Sequence, residues 1–468
     1  MSCKIALAVC ALAAASTLLA AEEPMAETSR KIITTELSSS HAYDTLEYLC
    51  DDIGPRLSGS AGAAAAVEWA TRTLRSWGLT VQNEPVTVTH WVRGMEYGYL
   101  PSHMNQKIVL TALGGSVATP SEGVEADVVE VGGYEELAAL GAEKVRGRIV
   151  LFNNPFDMDL VRSGRAFEAY RKGVVFRGGG ASHAAELGAV AVLVRSVASA
   201  SLRTPHTGSL RYDEKQPKIP AAAVSTEDAD LIHRLLAKGE RVRMHLVLTP
   251  QTLAPVVSAN VIAEIRGRER PNEIVVIGGH LDSWDLATGA IDDGAGAAMA
   301  METLRLLHVL KIVPRRTIRA VLFMNEENGG AGGKKYAEDH KLELGDHVGA
   351  IESDSGGAAP LGFHTTLSGD AFDTLHRRLE SLRQIGAGLL DSRAEVGSDI
   401  TPLTQAGVPG FGLQPDSTHY FDLHHSPADT LDKIDPKELA QDAAAMAVLA
   451  YQLAEQPERL PRVVIPKE

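Results

Sequence analysis

Cysteine is scarce in this chain, which has three among 468 residues. Cys3 and Cys10 lie in an N-terminal segment that we expect to be cleaved off, so the mature chain keeps Cys50 alone. A single cysteine can form neither an intrachain disulfide bond nor a cysteine metal cluster. A metal site in this chain must therefore use histidine and carboxylate ligands, and Cys50 is expected to be a small buried residue.

Long apolar runs are absent beyond the N-terminus, and no later segment is apolar enough to span a bilayer. The first residues combine a basic Lys4, an apolar run over residues 5–21 and small residues before a polar segment. This order is typical of a secretory signal peptide, which we predict over residues 1–21. A retained membrane anchor is the alternative, but the run is short and rich in alanine. We expect a secreted or periplasmic protein without stable membrane insertion.

Basic residues are outnumbered, with 45 lysines and arginines against 60 aspartates and glutamates. A protein that binds duplex nucleic acid needs a basic surface, so nucleic acid is not an expected partner. Hydrophobic residues make up 44% of the chain, which is enough for a large core and excludes a disordered or fibrous protein. The length of 468 residues indicates more than one domain.

The middle of the chain differs in texture from the rest. Residues 119–252 hold short β-rich pieces separated by glycine clusters. The pieces include residues 127–131, 148–152 and 189–194, and the glycine clusters include Gly178–Gly180. We predict a β-rich domain over residues 119–252, inserted into a main domain that residues 22–118 and 253–468 form together.

The predicted main domain is an α/β sheet with helices on both faces. Its segments show helical periodicity or short apolar runs that are typical of buried strands. They are a helix over residues 61–77, strands over 80–91 and 274–279, a helix over 294–310, a strand over 317–325, a helix over 334–341, a strand over 348–353, a helix over 370–384, a strand over 409–413 and a helix over 436–455.

Histidines and carboxylates recur at the ends of the predicted strands. His280 follows one strand, Glu326 and Glu327 follow the next, and Asp354 follows the third. Sites in open α/β sheets collect at the carboxyl ends of strands, so we expect these side chains to converge. Asp292 lies in a glycine-rich turn that can bring another carboxylate inward.

This series of residues predicts a centre with two metal ions. Zinc binds nitrogen and oxygen donors where cysteine is absent, and two neighbouring ions need a shared carboxylate to offset their repulsion. Asp292 is the predicted bridge. One zinc ion would take His280 and Asp354, and the other would take Glu327 and His425.

Other acids near these ligands receive separate predictions. Asp282 is predicted to accept a hydrogen bond from the His280 ring and so to fix its tautomer. Glu326 is the predicted general base, which takes a proton from the water between the zinc ions and returns it to the leaving amine. Asp293 is expected to be solvated or to cap a turn. Asp399 either lines the pocket or caps a turn.

The chain resembles the dizinc exopeptidase family that includes plasma glutamate carboxypeptidase, folate hydrolase and the bacterial leucyl aminopeptidases, and most closely its carboxypeptidase Q branch. Five motifs carry the resemblance, in the family's order over residues 27–455. They are His280-Leu-Asp-Ser-Trp, Ile291-Asp-Asp-Gly-Ala-Gly, Asn325-Glu-Glu, Glu352-Ser-Asp-Ser and His425-Ser-Pro-Ala-Asp-Thr.

The resemblance implies a phosphorylase/hydrolase-like mixed sheet, with an inserted domain similar to a protease-associated domain. It also implies two zinc ions and the removal of single residues from peptide ends. Short peptides or dipeptides with free termini are then the expected substrates, and a homodimer is the expected assembly.

One position departs from several relatives. They carry a tyrosine immediately before the last metal histidine, where its hydroxyl steadies the oxyanion, whereas this chain has His424. His424 is therefore either the oxyanion donor or the metal ligand itself. We favour His425 as the ligand because the family's ligand directly precedes the serine or threonine of the last motif.

The predicted function is a zinc-dependent exopeptidase of the carboxypeptidase Q type. The alternatives are an aminopeptidase with leucyl-type preference, a noncatalytic receptor-like homologue and a cyclase-like acyl transferase with one zinc ion. A noncatalytic homologue would be expected to lack ligands or the general base, yet all are present. The motifs leave open which peptide end is read, since acidic residues would favour an amine and Arg203 or Arg393 a carboxylate.

Overall fold

The computed structural model describes residues 23–200, 202–394 and 396–463, so the predicted signal peptide lies outside the described residues. The strands are β1 (Thr80–Val92), β2 (Glu96–Leu100), β3 (Gln106–Ile108), β4 (Leu110–Ala112), β5 (Val124–Val131), β6 (Ile149–Phe152), β7 (Ala191–Arg195), β8 (Ala221–Val224), β9 (Arg243–Leu248), β10 (Gln251–Ile265), β11 (Arg270–His280), β12 (Arg316–Phe323), β13 (His347–Glu352), β14 (Pro360–Thr365), β15 (Leu389–Ser392) and β16 (Gly410–Pro415).

Thirteen α-helices occur in the described ranges. They are α1 (residues 23–39), α2 (Ala42–Glu47), α3 (Ala61–Ser76), α4 (Tyr134–Val145), α5 (Met158–Arg162), α6 (Ala166–Glu186), α7 (Thr226–Ala237), α8 (Ala295–Val309), α9 (Ala331–Asp339), α10 (Gly369–Arg378), α11 (Thr401–Gln405), α12 (Tyr420–Leu423) and α13 (Pro436–Glu455). Among the described residues, no helix is both long enough and apolar enough to cross a membrane.

The first sheet has eight strands in the order β1-β10-β12-β11-β13-β16-β14-β15. Its centre, from β12 through β11 and β13 to β16, is parallel, whereas β1 and β10 run antiparallel at one edge. This mixed α/β sheet confirms the predicted fold class. The strands β14 and β15 lie beyond the predicted elements, and they extend the sheet past β16.

Helices cover both faces of the first sheet. Successive side chains of a strand point to opposite faces, so β11 contributes to two separate cores. Val275 and Ile277 join the core under α8 and α13, while Ile274 and Val276 join the opposite core with Tyr336 of α9. Burial on both faces explains why the central strands read as continuous apolar runs.

The second sheet also has eight strands, in the order β3-β2-β9-β5-β6-β7-β8-β4. Its strands β5 to β8 are parallel, and the outer pairs are antiparallel. Because β2, β3 and β4 belong to it, this sheet begins in the chain before residue 119. It ends with β9, before β10 returns the chain to the first sheet.

The glycines predicted to separate β-rich pieces lie instead inside α6, a helix of 21 residues. Side chains explain this difference, because they approach the helix backbone closely. A Cβ added at Gly180 would lie 2.8 Å from the Phe152 ring, and one at Gly173 would lie 2.9 Å from Val197. Glycine therefore lets this helix pack against the second sheet, and the cost in helix propensity is offset by close packing.

Asp442 of α13 is a buried acid without a hydrogen-bond partner among the described residues. Burial and the nearby Glu438 raise the pKa of its carboxyl well above the usual value. The folded chain thus holds this proton more tightly than the unfolded chain does, so stability is lost as the pH rises from about 4 toward the folded-state pKa. Asp442→Asn is expected to raise the free energy of unfolding by about 1–3 kcal/mol at alkaline pH and to change it little near pH 4.

Denaturant unfolding at both pH values measures this effect. The matched control is Asp373→Asn, because Asp373 is exposed on α10. The control should have the same pH profile as the wild type. An Asp442→Asn variant whose stability falls with pH as steeply as that of the wild type would contradict the interpretation.

Candidate metal centre

The carboxyl ends of three neighbouring parallel strands meet at one edge of the first sheet. His280 is the last residue of β11, Glu326 and Glu327 follow β12, and Asp354 follows β13. Because β12, β11 and β13 are adjacent in the sheet, these side chains converge as the strand order requires.

Asp292 lies at the middle of this group, in a turn from Ala290 to Gly294 in which its own φ of −134° and ψ of 86° are not helical. Its Oδ1 is 3.2 Å from Nε2 of His280, and its Oδ2 is 3.1 Å from Nε2 of His425. The carboxylate of Asp429 accepts the Ile291 main-chain N–H at 2.7 Å and so fixes the turn. The two oxygens of Asp292 therefore face two different histidines.

Two donor groups share Asp292. In the first, Nε2 of His280 lies 3.2 Å from Asp292 Oδ1 and 3.5 Å from Asp354 Oδ1. In the second, Nε2 of His425 lies 3.1 Å from both Asp292 Oδ2 and Glu327 Oε2. Ligands about 2.0–2.2 Å from a tetrahedral zinc ion are separated by roughly 3.3–3.6 Å, so both groups fit one ion each with little movement.

The charge of the centre favours cations. Burial alone would lower the pKa of His425, but Glu327 and Asp292 raise it well above the usual value. Burial alone would raise the pKa of Asp292, but the hydrogen bond with the His280 ring and the nearby His425 ring hold it well below the usual value. Asp354 and Glu326 add two more carboxylates to the site that contains the imidazoles of His280 and His425. Buried carboxylates in excess are costly unless cations offset them, which fits divalent metal ions.

Glu326 lies beside the two donor groups. Its main-chain N–H donates to Asp282 Oδ1 at 3.1 Å. Burial raises the pKa of its carboxyl to about 7, and Asp354 and Asp292 add to the effect, while Ser398 hydrogen-bonds the side chain. A carboxyl with a pKa near neutrality is suited to taking up and returning a proton.

Comparison with the sequences and solved structures of other proteins identifies the family. Residues 260–450 match Peptidase family M28, and residues 115–232 match the PA domain. Carboxypeptidase Q from Mus musculus is 39% identical over 422 residues, which cover 90% of this chain and 87% of that protein. The chain belongs to peptidase family M28.

Solved structures agree with this assignment. A peptidase M28 precursor from Shewanella amazonensis has a TM-score of 0.90 and 38% identity, with 95% of this chain and 100% of that chain covered. BSAP, a zinc aminopeptidase from Bacillus subtilis, has a TM-score of 0.66 and 21% identity, with 90% and 97% covered, and shows likeness of fold. The predicted family resemblance and the prediction of a metallo-exopeptidase are confirmed.

In this M28 chain the role predicted for the Asp282 carboxylate is wrong. The His280 ring bonds through Nδ1 to the main-chain oxygen of Asp282 at 2.8 Å, whereas the Asp282 Oδ1 is 3.9 Å away. The carboxylate instead accepts the N–H groups of Asn325 and Glu326 and the hydroxyl of Ser58. Because the Asp282 carboxylate accepts these three hydrogen bonds, it is turned away from the His280 ring. Through the Glu326 N–H it orients the segment that carries the candidate base.

His424 and His425 both face Asp292. Their rings stack with centroids 3.6 Å apart, and Nε2 of His424 is 3.5 Å from Asp292 Oδ2. His425 has the additional contact with Glu327. Burial and the adjacent His425 lower the pKa of His424 well below its usual value, and its Nδ1 has no partner among the described residues. His425 thus has more of the contacts that an ion would share.

The loop that contains Asp399 is a part of the site whose contacts the sequence did not indicate. Ser398 donates to the Asp354 carboxylate at 3.2 Å, and the Glu352 carboxylate accepts the N–H groups of Asp399 and Ile400. Asp399 is itself buried, and its carboxylate oxygens have no partner within the described ranges, so it does not cap a turn. Asp293 is the acid that caps: it accepts the N–H groups of His280 and Gly296.

The two arginines that the sequence suggested for binding a substrate carboxylate form ion pairs with aspartates instead. Arg203 pairs with Asp228 at 3.1 Å, and Arg393 pairs with Asp391 at 2.7 Å. Cys50 is a free, buried cysteine, and burial raises the pKa of its thiol to about 11, which agrees with a packing role.

Proposed function

We propose that this chain is a dizinc exopeptidase that hydrolyses peptide bonds in dipeptides or at the ends of short peptides, as a carboxypeptidase Q-like enzyme. The observation that carries the proposal is the position of Asp292, whose oxygens face two separate groups of nitrogen and oxygen donors. A carboxylate shared in this way offsets the repulsion of two ions a few ångström apart.

In the proposal, each ion has three protein ligands. His280 and Asp354 would hold one ion, Glu327 and His425 would hold the other, and Asp292 would bridge them. Zinc ions held there would supply a Lewis acid for the scissile carbonyl and would lower the pKa of the attacking water. The shared family and the contacts among these nitrogen and oxygen donors support zinc, which prefers such ligands where cysteine is absent.

Proton transfer is assigned to Glu326. Its carboxyl would take the proton of the attacking water and return it to the leaving amine. Asp282 positions this base through the Glu326 main-chain N–H. His424 is the proposed donor to the oxyanion, because its ring lies beside Asp292 and its Nδ1 is unpartnered within the described residues.

The rival functions differ from this proposal in specific features. An aminopeptidase would use the same centre and would bind the free amine of its substrate through acidic groups. Buried Asp399 is one such group, because its carboxylate oxygens have no hydrogen-bond partner among the described residues. A noncatalytic homologue has no need for Glu326 beside both donor groups. A one-zinc acyl transferase has no need for the second group, in which His425 contacts Glu327.

We also propose that the protein is exported after cleavage of the signal peptide. The homodimer stays a prediction.

The test is amino-acid release by the mature protein with zinc from one dipeptide offered free, N-acetylated or C-amidated. Each form is assayed with and without a chelator. We expect chelator-sensitive release from the free dipeptide and loss of release with the C-amidated form. Loss with the N-acetylated form instead would establish the aminopeptidase alternative, and no release from any form would contradict an exopeptidase.

A pair of variants tests the proposed assignment of the two neighbouring histidines. His425→Ala is expected to lower the zinc content by one ion per chain, because it removes a ligand that contacts both Asp292 and Glu327. His424→Ala is expected to keep both ions while losing roughly 100-fold in kcat, the typical effect of removing an oxyanion donor. Zinc analysis after dialysis and kcat measurement check both. Undiminished zinc in His425→Ala would contradict the assignment.

A further inference from the structure

A loop of the second-sheet domain contacts one side of the candidate metal centre. The loop comprises residues 206–209 and lies between β7 and β8. Its Thr207 main-chain N–H donates to the His425 oxygen at 2.8 Å, and the Thr207 oxygen lies 3.3 Å from Nδ1 of the same residue. Thr207 therefore contacts both the main chain and the ring of His425.

Two more residues of this loop bind the same side of the centre. Nδ1 of His206 lies 2.7 Å from the main-chain oxygen of His424, and the Ser209 hydroxyl donates to the main-chain oxygen of Glu327 at 2.7 Å. The loop thus contacts both residues of the proposed second ion site, Glu327 and His425, although those residues come from distant parts of the first-sheet domain.

Thr207 and Arg177 both contact Nδ1 of His425, whereas Nε2 is the nitrogen that faces the site. The Thr207 oxygen, which only accepts hydrogen bonds, and Nη1 of Arg177, which only donates them, each lie 3.3 Å from Nδ1. Together they fix the orientation of the ring, so that Nε2 is directed at Asp292 and Glu327, the position that a metal ligand needs. His425 has a φ of +60°, an uncommon left-handed conformation that its surroundings must hold.

Buried groups hold the loop in this position. The Arg177 guanidinium donates from Nη1 to the Thr207 oxygen at 3.3 Å and from Nη2 to the Tyr170 hydroxyl at 2.6 Å. The guanidinium packs directly against Gly208, where a Cβ would lie 2.3 Å from Arg177 Cζ. The Gly208 φ of +136° also favours glycine. The Gly208 oxygen accepts the N–H of Gly114 at 3.0 Å.

The other donor group is held differently. The His280 ring bonds to the Asp282 main-chain oxygen, and Asp354 accepts from Ser398. Asp282 and Ser398 both belong to the first-sheet domain. Among the described residues, the hydrogen bonds of the loop 206–209 therefore support the group of Glu327 and His425 and not the group of His280 and Asp354.

We infer that the loop 206–209 of the second-sheet domain positions the ligands of one zinc ion, the one assigned to Glu327 and His425, so that affinity for that ion depends on this domain. The inference rests on the proposed dizinc function. It gives the inserted domain a role within the metal centre, and it makes His206, Gly208 and Ser209 positioning residues that bind neither ion.

Zinc titration of the metal-free full chain against a chromophoric chelator tests the inference, with zinc stoichiometry determined on the same samples. Gly208→Ala would place a Cβ against Arg177, and His206→Ala would remove the donor to His424. We expect each variant to bind one ion as the wild type does and the second ion about 10–100-fold more weakly, as is typical when groups that orient metal ligands are lost. His206→Asn keeps a donor near the position of Nδ1 and should restore most of the affinity.

The matched control is Gly239→Ala. Gly239 has a φ of +77° with open space around it and lies in the same domain after α7, so this variant brings backbone strain without contact with the centre. It should bind both ions normally. Equal weakening of both ions by Gly208→Ala and His206→Ala, or unchanged affinity in both variants, would overturn the inference. A wild-type chain that binds fewer than two ions would instead contradict the proposed function.

Discussion

Glu326→Gln is expected to keep both zinc ions and to lose about 100- to 10,000-fold in kcat on a dipeptide. The amide has nearly the shape of the carboxyl, so the main-chain bond from Glu326 to Asp282 should persist. It cannot, however, take up the proton of the attacking water. Burial raises the pKa of the native carboxyl to about 7, which is the property that the substitution removes.

Zinc analysis and steady-state kinetics on the same preparation measure this result. Glu338→Gln is the control, because Glu338 is exposed on α9. The control should retain wild-type kcat and zinc content. If Glu326→Gln turned over substrate at a near wild-type rate with both ions bound, another group would have to carry the proton. If it lost zinc, Glu326 would belong among the ligands.

Asp292→Asn is expected to weaken zinc binding by more than about 100-fold at one or both sites and to lower kcat/KM by roughly 1000-fold or more. The carboxylate of Asp292 faces both donor groups, and the neutral amide offers one oxygen and one nitrogen that does not coordinate metal. Stabilisation by zinc depends on its affinity for the folded chain, so the rise in Tm on zinc addition should also shrink.

Asp293→Asn is the informative comparison for this variant. Asp293 is the next residue and is equally buried, but its oxygens accept the main-chain N–H groups of His280 and Gly296. We expect it to lower the Tm of the metal-free chain and to leave the zinc stoichiometry unchanged. Zinc loss in Asp293→Asn with retention in Asp292→Asn would show that the bridge has been assigned to the wrong residue.

The positions of the candidate ligands could be predicted because they depend on sheet topology. His280, Glu327 and Asp354 each follow an apolar run, and runs of that kind become the parallel strands β11, β12 and β13. Once the strands are adjacent, residues just after them must lie at one edge of the sheet. Asp292 is predicted from its glycine-rich turn, and the last motif of the family favours His425 over His424, so these two positions depend on turns and motifs rather than on periodicity.

Contacts that involve main-chain atoms could not be predicted in the same way. The tautomer of His280 is set by the Asp282 main-chain oxygen, although the side chain of that residue is the one that the sequence displays. The loop residue His206 lies 218 positions from His424, and it acts on a main-chain oxygen. No periodicity or motif in the sequence reports such a contact.

The full extent of the second sheet could not be predicted from the sequence either. Its strands β2, β3 and β4 are three to five residues long, and two of them pair with β9 or β8 far along the chain. Short strands carry too few side chains to show an alternating pattern. The helix α6 could not be predicted through its glycines either, because the ring of Phe152 that requires Gly180 comes from strand β6, which is distant in sequence.

The most direct test of the dizinc account is to titrate zinc into the metal-free mature protein while following amino-acid release from a dipeptide. The account predicts that release is absent without metal, rises as zinc is added and reaches its maximum at two ions per chain, with Asp292 shared between them. Full activity at one ion per chain, or activity that persists without metal, would contradict it.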